Sequence, residues 1–153
     1  RLAQAVMAVQ AIKGVEIGLG FEAARRRGSK VHDPIQYDES QRNSPNLGFV
    51  RPTNNAGGLE AGMTNGQPLV IRAAKKPIST LAKPLESINL ETKQKQEASY
   101  ERSDVCAVSA ASVIVENVVA FEMACALVDK FGGDSLPEMR ARYGLYLEMA
   151  RAR

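Results

Sequence analysis

The sequence predicts an α+β fold, with short strands in the middle of the chain and helices at its two ends. Apolar residues recur at helical spacing in residues 1–13 and again beyond residue 111. The segments between them alternate in polarity or are rich in β-branched residues, which is typical of strands. Strands and helices do not alternate regularly, so the sequence does not predict a parallel βαβ sheet.

The N-terminal third begins with a predicted helix over residues 1–13, in which Leu2, Val6, Val9 and Ile12 recur near helical spacing. Gly14 is expected to end this helix, because glycine readily adopts the left-handed conformation found after helices. Four elements are then expected in order: a strand at 15–17, a short helix with a basic end at 21–27, a polar surface loop at 28–46 and a strand at 47–51.

The middle of the chain contains the segment NNAGGLEAGMTNG, residues 54–66. Its four glycines and three asparagines argue against a regular element. A strand is predicted at 67–74 from its β-branched residues. Two weaker strands, at 86–90 and 97–102, are expected to pair through a polar turn at 91–96.

The C-terminal third is predicted to be helical. Residues 111–130 are apolar on nearly every side of a helix, so this helix is expected to be buried. A second helix should follow, with Asp134 or Ser135 as its N-cap and Pro137 in its first turn. The expected inner stripe of this second helix consists of Leu136, Met139, Tyr143, Leu147 and Ala150.

Composition excludes several classes of protein. The chain has 153 residues, of which 44% are apolar and 24% charged, so it is expected to fold as one domain or as part of a larger one. Glu116 and Glu122 interrupt the longest apolar run, residues 113–128, so no membrane-spanning helix is expected. A net charge of +3 with few aromatics predicts no nucleic-acid partner. Cys106 and Cys125 are too few for a disulfide framework or a zinc site, so a cytoplasmic protein without a metal is expected.

The chain also begins unusually. Its first residues have the pattern of a helix interior, with no initiator Met and no N-cap residue, so a fragment whose beginning is missing is expected. His32 is the only histidine and lies in a polar segment, so neither a Ser–His–Asp nor a Cys–His arrangement is expected.

Three segments carry groups that suit an anionic ligand. The glycine-rich residues 54–66 would let the backbone approach a phosphate or a planar ring, although a tight surface loop has the same composition. Residues 76–80 combine a lysine with two hydroxyls beside Pro77, and the alternative is a strand end leading into a turn. Arg102 and Asp104 could fix an anion and move a proton, or could form an ion pair and cap at a helix start.

Taken together, these segments resemble the chorismate synthase family. The matching segments, in the family's order, are QAIKGVEIG (10–18), GF (20–21), RRRGS (25–29), NNAGGLEAGMTNGQP (54–68), KPIST (76–80), RSDVCAV (102–108), Glu116 and FGGDS (131–135). The resemblance covers nearly the whole chain. The RSDVC variant with a trailing FGGDS looks like the branch found in actinobacteria and their relatives.

The resemblance implies a β-α-β sandwich of mixed strands with long buried C-terminal helices, assembled as a homotetramer. Residues 1–153 would be the C-terminal fragment of a single larger catalytic domain. The implied activity is that of a lyase of the shikimate pathway for aromatic amino-acid biosynthesis. It eliminates phosphate from 5-enolpyruvylshikimate 3-phosphate in an anti-1,4 sense to give chorismate, with reduced FMN and no net oxidation or reduction. NADPH would serve flavin reduction only.

The resemblance also implies roles for individual residues. Asp104 matches the aspartate that lies near the flavin N5 and assists proton removal. No metal ligand is implied. The positions that match FMN contacts in the family are Gln10, Ala11, Ala61, Lys76, Pro77, Ile78, Ser79, Thr80 and Arg102.

The chain departs from the family pattern at Leu19, where Asp is common, and at Ala61, where glycine is frequent. Ser109 and Ser112 replace a common Pro and Gly. In the family, a further N-terminal portion supplies two catalytic histidines, so the fragment alone is expected to be inactive. The alternative is a non-catalytic flavin- or phosphate-binding or assembly module.

Overall fold

The computed structural model describes residues 1–152. These residues form three α-helices and eight short strands, joined by loops and 3-10 turns. In chain order the elements are α1 (Leu2–Met7), β1 (Ile12–Ile17), β2 (Gln36–Tyr37), β3 (Phe49–Val50), β4 (Leu59–Glu60), β5 (Met63–Thr64), β6 (Ile71–Lys75), β7 (Glu86–Ile88), β8 (Lys95–Glu97), α2 (Val108–Phe131) and α3 (Leu136–Arg151). The α+β class predicted from the sequence is confirmed.

The longest strands, β1 and β6, pair antiparallel, with Ile12 opposite Lys75 and Ile17 opposite Ile71. The pairing is irregular between Ile12 and Gly14, where the register shifts. The helix predicted over residues 1–13 is therefore too long, because α1 ends at Met7 and both Ile12 and Gly14 lie within β1. Gly14 does not end the helix. After α1, the chain passes through a turn in which Ala11 has a positive φ of 66°. This turn directs the chain into β1.

The other strands form three small hairpins: β2 with β3, β4 with β5, and β7 with β8. A hairpin of two weak strands is present as predicted, in β7 and β8. The strand predicted at 97–102 is wrong beyond Glu97, because β8 spans Lys95–Glu97 and lies mostly in the predicted turn. The prediction of no regular element in residues 54–66 is wrong, since β4 and β5 lie there. Ala61 and Gly62 join them with positive φ angles of 49° and 75°, as in a type I′ turn.

Ala61 is expected to weaken this turn, because alanine pays a conformational cost in the left-handed region that Asn or Gly largely avoids. Ala61→Asn creates the Asn–Gly pair that type I′ turns favour, and should raise the free energy of unfolding by about 0.5–1 kcal/mol. Ala61→Val should lower it by about 1 kcal/mol, because β-branched residues tolerate positive φ worst. Urea titration of the complete protein measures both, and equal midpoints for the two variants would contradict the prediction.

Helix α2 differs from its expected burial. Ala111 and Phe131 are buried, but Val113, Ile114 and Phe121 are 56%, 50% and 68% exposed. Helix α2 contacts α1 and α3, and it borders a groove that residues of the β1–β6 sheet also line. A helix that is apolar on nearly all sides needs cover on all sides, and within residues 1–152 much of its apolar surface stays exposed.

By length and composition alone, α2 could cross a membrane. The sequence did not predict this, because Glu116 and Glu122 interrupt the apolar run. A single helix of this kind is equally typical of a protein core, so the finding is weak evidence for a membrane. Glu122 instead pairs with Arg1, whose Nε lies 3.0 Å from Oε2.

The expected start of α3 is confirmed. The Ser135 hydroxyl accepts a hydrogen bond from the Glu138 N–H, and Pro137 lies in the first turn. The predicted inner stripe holds only in part, since Leu136 is 58% exposed. Helices α2 and α3 also contact each other through aromatic rings: Phe131 lies edge-on to Tyr143 and to Tyr146, a residue outside the predicted stripe.

Candidate functional site

A cleft lies where the C-terminal end of β6 meets the turn before β1 and the start of α2. Its volume is about 640 Å³, within the range of roughly 300–1,000 Å³ that is typical of small-molecule sites. We call it the main cleft. Seven of the predicted site residues line it together: Gln10, Ala11, Lys76, Pro77, Ile78, Ser79 and Thr80.

The backbone brings these two segments together. The Lys76 N–H donates to the Ala11 carbonyl at 2.7 Å, which continues the β1–β6 pairing one step beyond the sheet. Ala11 accepts this bond while its φ is 66°. Non-glycine residues held at positive φ cost free energy and are often found at functional sites. The second such alanine, Ala61, is also a predicted cofactor contact.

An adjoining pocket of about 420 Å³ contains Asp104. It shares Lys76 and Ser103 with the main cleft, so Asp104 opens onto the same region as the loop of residues 76–80. Within residues 1–152, Asp104 forms no ion pair with Arg102. Asp104 does not cap α2 either, because Ala107 occupies that position without a side-chain hydrogen bond. The structure thus supports neither of the purely structural roles considered for Asp104.

Two predicted site residues lie apart from the main cleft. Ala61 is at the exposed tip of the β4–β5 hairpin, and Arg102 is exposed in the loop before α2. Neither borders the main cleft or the Asp104 pocket. Their proposed flavin contacts therefore stay predictions.

The glycine-rich segment is built as a tight loop rather than as an open cradle for an anion. The Gly57 N–H donates to the Asn54 carbonyl and the Gly58 N–H to the Asn54 side-chain oxygen, at 3.1 and 2.8 Å. The Asn54 amide donates in turn to the Pro68 carbonyl at 2.8 Å. With these N–H groups already paired, the composition reflects close backbone packing.

Asp33 holds the same loop from a distant part of the chain, and sequence reasoning missed it. It is the one buried charged residue in the described part of the chain, at 8% exposure. Its carboxylate accepts from the Thr53 hydroxyl at 2.6 Å and from the N–H groups of Asn55 and Ala56, each at 2.8 Å. Burial alone would raise the pKa of Asp33, but these hydrogen bonds, with the charge of Arg51, outweigh burial and lower it.

Asp33→Asn is expected to lower the free energy of unfolding by about 2–3 kcal/mol at pH 7. The NH₂ group of the new asparagine would face one of the hydrogen-bond donors that the carboxylate now accepts from. A carboxylate with a lowered folded pKa stabilises the fold above its unfolded pKa, about 3.9, and this contribution disappears as pH falls through the folded pKa. The difference between wild type and variant should therefore shrink below about pH 4. Urea midpoints at several pH values measure it.

The matched control for this series is Asp134→Asn, which removes an exposed carboxylate between α2 and α3. Its midpoint should stay within about 0.5 kcal/mol of wild type at neutral pH. A loss for Asp33→Asn that is equally small, or that grows as pH falls, would show that Asp33 does not hold the loop as a carboxylate.

Comparison with known proteins assigns this arrangement to a family. A sequence model of the family described as "Chorismate synthase" matches residues 1–128. The chain belongs to the chorismate synthase family. The chorismate synthase of Geobacter sulfurreducens is 61% identical over 153 residues, covering 99% of this chain and 39% of that protein. The chorismate synthase of Thermoanaerobacter pseudethanolicus is 58% identical over 146 residues, covering 95% and 40%.

A solved crystal structure of a chorismate synthase superposes on this chain with a TM-score of 0.74 and 42% sequence identity. The match covers 99% of this chain and 36% of that one. The chain thus spans about 39% of the length of the curated chorismate synthases named above. The relatives named here come from Geobacter and Thermoanaerobacter, and the actinobacterial branch stays a prediction.

The main cleft suits the phosphorylated flavin implied by the chorismate synthase family. Lys76 provides positive charge, and Ser79 and Thr80 provide hydroxyl groups on the same wall. Within residues 1–152, no group of three His, Cys, Asp or Glu side chains could hold a metal ion. The ammonium group and the two hydroxyl groups that line the cleft suit an anionic organic ligand.

Proposed function

We propose that residues 1–153 are the C-terminal part of a single larger catalytic domain that forms chorismate from 5-enolpyruvylshikimate 3-phosphate with reduced FMN. The observation that carries this proposal is the convergence of Gln10, Ala11 and residues 76–80 on one cleft, with Asp104 in the adjoining pocket. Family membership, at 61% identity to the Geobacter sulfurreducens chorismate synthase, supports the same reaction.

The reaction breaks the ring C–O bond to phosphate and one ring C–H bond, and forms a new C=C bond. Phosphate leaves with the electron pair of the C–O bond, and a base takes the proton. Lys76 and the Ser79 and Thr80 hydroxyls would bind and orient reduced FMN, which would supply electron density to the substrate without net consumption. Asp104 accepts the proton.

The same proposal includes the setting of the reaction. We place the complete protein in the cytoplasm as a homotetramer, with NADPH serving only to reduce the flavin. The exposed apolar faces of α2 support an assembly with further protein surface, because such large apolar areas are seldom left in water. No nucleic acid or membrane enters the proposal.

The test is an assay of the complete protein, purified from its source and supplied with 5-enolpyruvylshikimate 3-phosphate and reduced FMN under anaerobic conditions. Chorismate and phosphate should form in equal amounts, and neither should form with oxidised FMN alone. If the native product instead has only the length of this chain, binds reduced flavin and forms no chorismate, the binding-module alternative replaces the proposal.

A further inference from the structure

The face of β6 that is directed toward α2 is apolar except at its last residue, which is charged. Ile71, Ala73 and Lys75 alternate onto this face, and all three line the groove of about 380 Å³ between the sheet and α2. Ile71 and Ala73 are apolar, whereas Lys75 is charged and half-buried. Burying a charged side chain without a charged partner costs free energy.

Within residues 1–152, Lys75 forms no ion pair. Among the described residues, its ammonium group makes one long hydrogen bond, 3.5 Å from Nζ to the carbonyl oxygen of Lys76. Glu116 lines the same groove, but its carboxylate lies beyond ion-pair distance. The charge of Lys75 is therefore left largely uncompensated by the protein.

Lys75 also borders the main cleft and the Asp104 pocket, in addition to the groove beside α2. Asp104 is the carboxylate that shares a pocket with Lys75 and Lys76, and no ion pair joins it to either lysine. A cation at this junction can reach an anionic group bound in the cleft from the side opposite Lys76, because successive strand residues project to opposite faces.

We propose that Lys75 is a second phosphate-binding residue of this site, which contacts a phosphate monoester together with Lys76. This inference rests on the proposed function. The phosphate monoester belongs either to FMN or to the phosphorylated substrate, and the chemistry of recognition is the same for both. A bound phosphate would be the anionic partner that Lys75 lacks in the protein itself. Lys75 therefore favours ligand binding but lowers the stability of the ligand-free protein.

The test uses the complete protein and three variants. Lys75→Met removes the charge and fits the apolar face, and Lys75→Arg keeps the charge. Lys13→Met is the matched control, because Lys13 is an exposed lysine of β1 that borders neither the cleft nor its adjoining pockets. Binding of FMN and of riboflavin, which lacks the phosphate, is followed by flavin fluorescence, and KM is measured for 5-enolpyruvylshikimate 3-phosphate.

Lys75→Met should raise the melting temperature of the ligand-free protein and weaken phosphate recognition roughly tenfold or more, as expected for a lost charged hydrogen bond. If FMN binding weakens while riboflavin binding is unchanged, the phosphate is that of the flavin. If FMN binding is unchanged and KM rises, it is that of the substrate. Lys75→Arg should retain most of the binding, and Lys13→Met should match wild type.

Three results would overturn the inference: unchanged FMN binding together with unchanged KM, equal weakening of FMN and riboflavin, or a lower melting temperature for ligand-free Lys75→Met. These results are distinct from failure of the proposed function, which would show as absence of chorismate formation by the wild-type protein in the same assay.

Discussion

Gly57→Ala is expected to lower the free energy of unfolding of the complete protein by more than about 3 kcal/mol. Gly57 has a φ of +64°, and a Cβ there would lie 2.6 Å from the Gly18 Cα, closer still to the Gly18 nitrogen, and 3.0 Å from the Val70 carbonyl oxygen. All three atoms belong to the backbone, so no side chain can rotate away. Relief requires the chain itself to move.

Such a movement would break hydrogen bonds on both sides of the glycine. The Val70 N–H donates to the Gly57 carbonyl at 3.1 Å, and the Gly18 N–H donates to the Val70 carbonyl at 2.9 Å. These bonds join the glycine-rich loop to the outer end of the β1–β6 sheet. The cost of the methyl group therefore includes lost backbone pairing as well as left-handed strain.

Two further glycines separate the contributions to this loss. Gly62 has a φ of +75° with no atom within 4 Å of an added Cβ, so Gly62→Ala measures backbone strain alone, about 1 kcal/mol. Gly144 lies within α3, also with nothing within 4 Å, so Gly144→Ala should stabilise the helix by about 0.5–1 kcal/mol. Melting temperatures should rise from Gly57→Ala through Gly62→Ala to Gly144→Ala, and a Gly57→Ala protein as stable as Gly62→Ala would refute the close packing.

Asp104→Asn is expected to reduce kcat for chorismate formation by roughly 10²–10⁴-fold, the usual effect of losing a general base. Asparagine has nearly the same shape but cannot accept the proton at neutral pH. Because Asp104 lies in the pocket beside the main cleft, its loss should leave FMN affinity almost unchanged. The measurement is single-turnover formation of chorismate with reduced FMN bound.

The control for Asp104 is Glu101→Gln, since Glu101 is an exposed carboxylate of the same loop that borders neither the cleft nor the adjoining pocket. Its kcat should match that of wild type. Near-wild-type turnover by Asp104→Asn with reduced FMN bound would exclude Asp104 as the proton acceptor, whatever the behaviour of Glu101→Gln.

Features set by neighbouring residues were predictable from the sequence. The Ser135 cap and Pro137 act within one helical turn, so their positions alone located the start of α3. The lysine and hydroxyls of residues 76–80 were predicted as a site segment. They line the cleft, and their binding role stays a prediction. In these cases the physical cause lies within a few residues of the feature.

Features set by distant residues were not predictable. Ala11 ends its turn in a conformation that alanine seldom adopts, because the strand pairing and the Lys76 N–H position its carbonyl. Asp33 has no local pattern that marks it, since its hydrogen-bond partners begin at Thr53. Lys75 resembles any other lysine of the sequence until the strand register places it on an apolar face.

The pairing of β1 with β6 has a kinetic consequence. Ile12 and Lys75 belong to segments far apart in sequence, so the loop between them must close before either wall of the main cleft is in place. Contacts of this kind form slowly compared with helices and local hairpins. The cleft should therefore be completed late in folding, and flavin binding would shift the equilibrium of this last step toward the native state. The time at which flavin binding begins during refolding then measures when β1 and β6 pair.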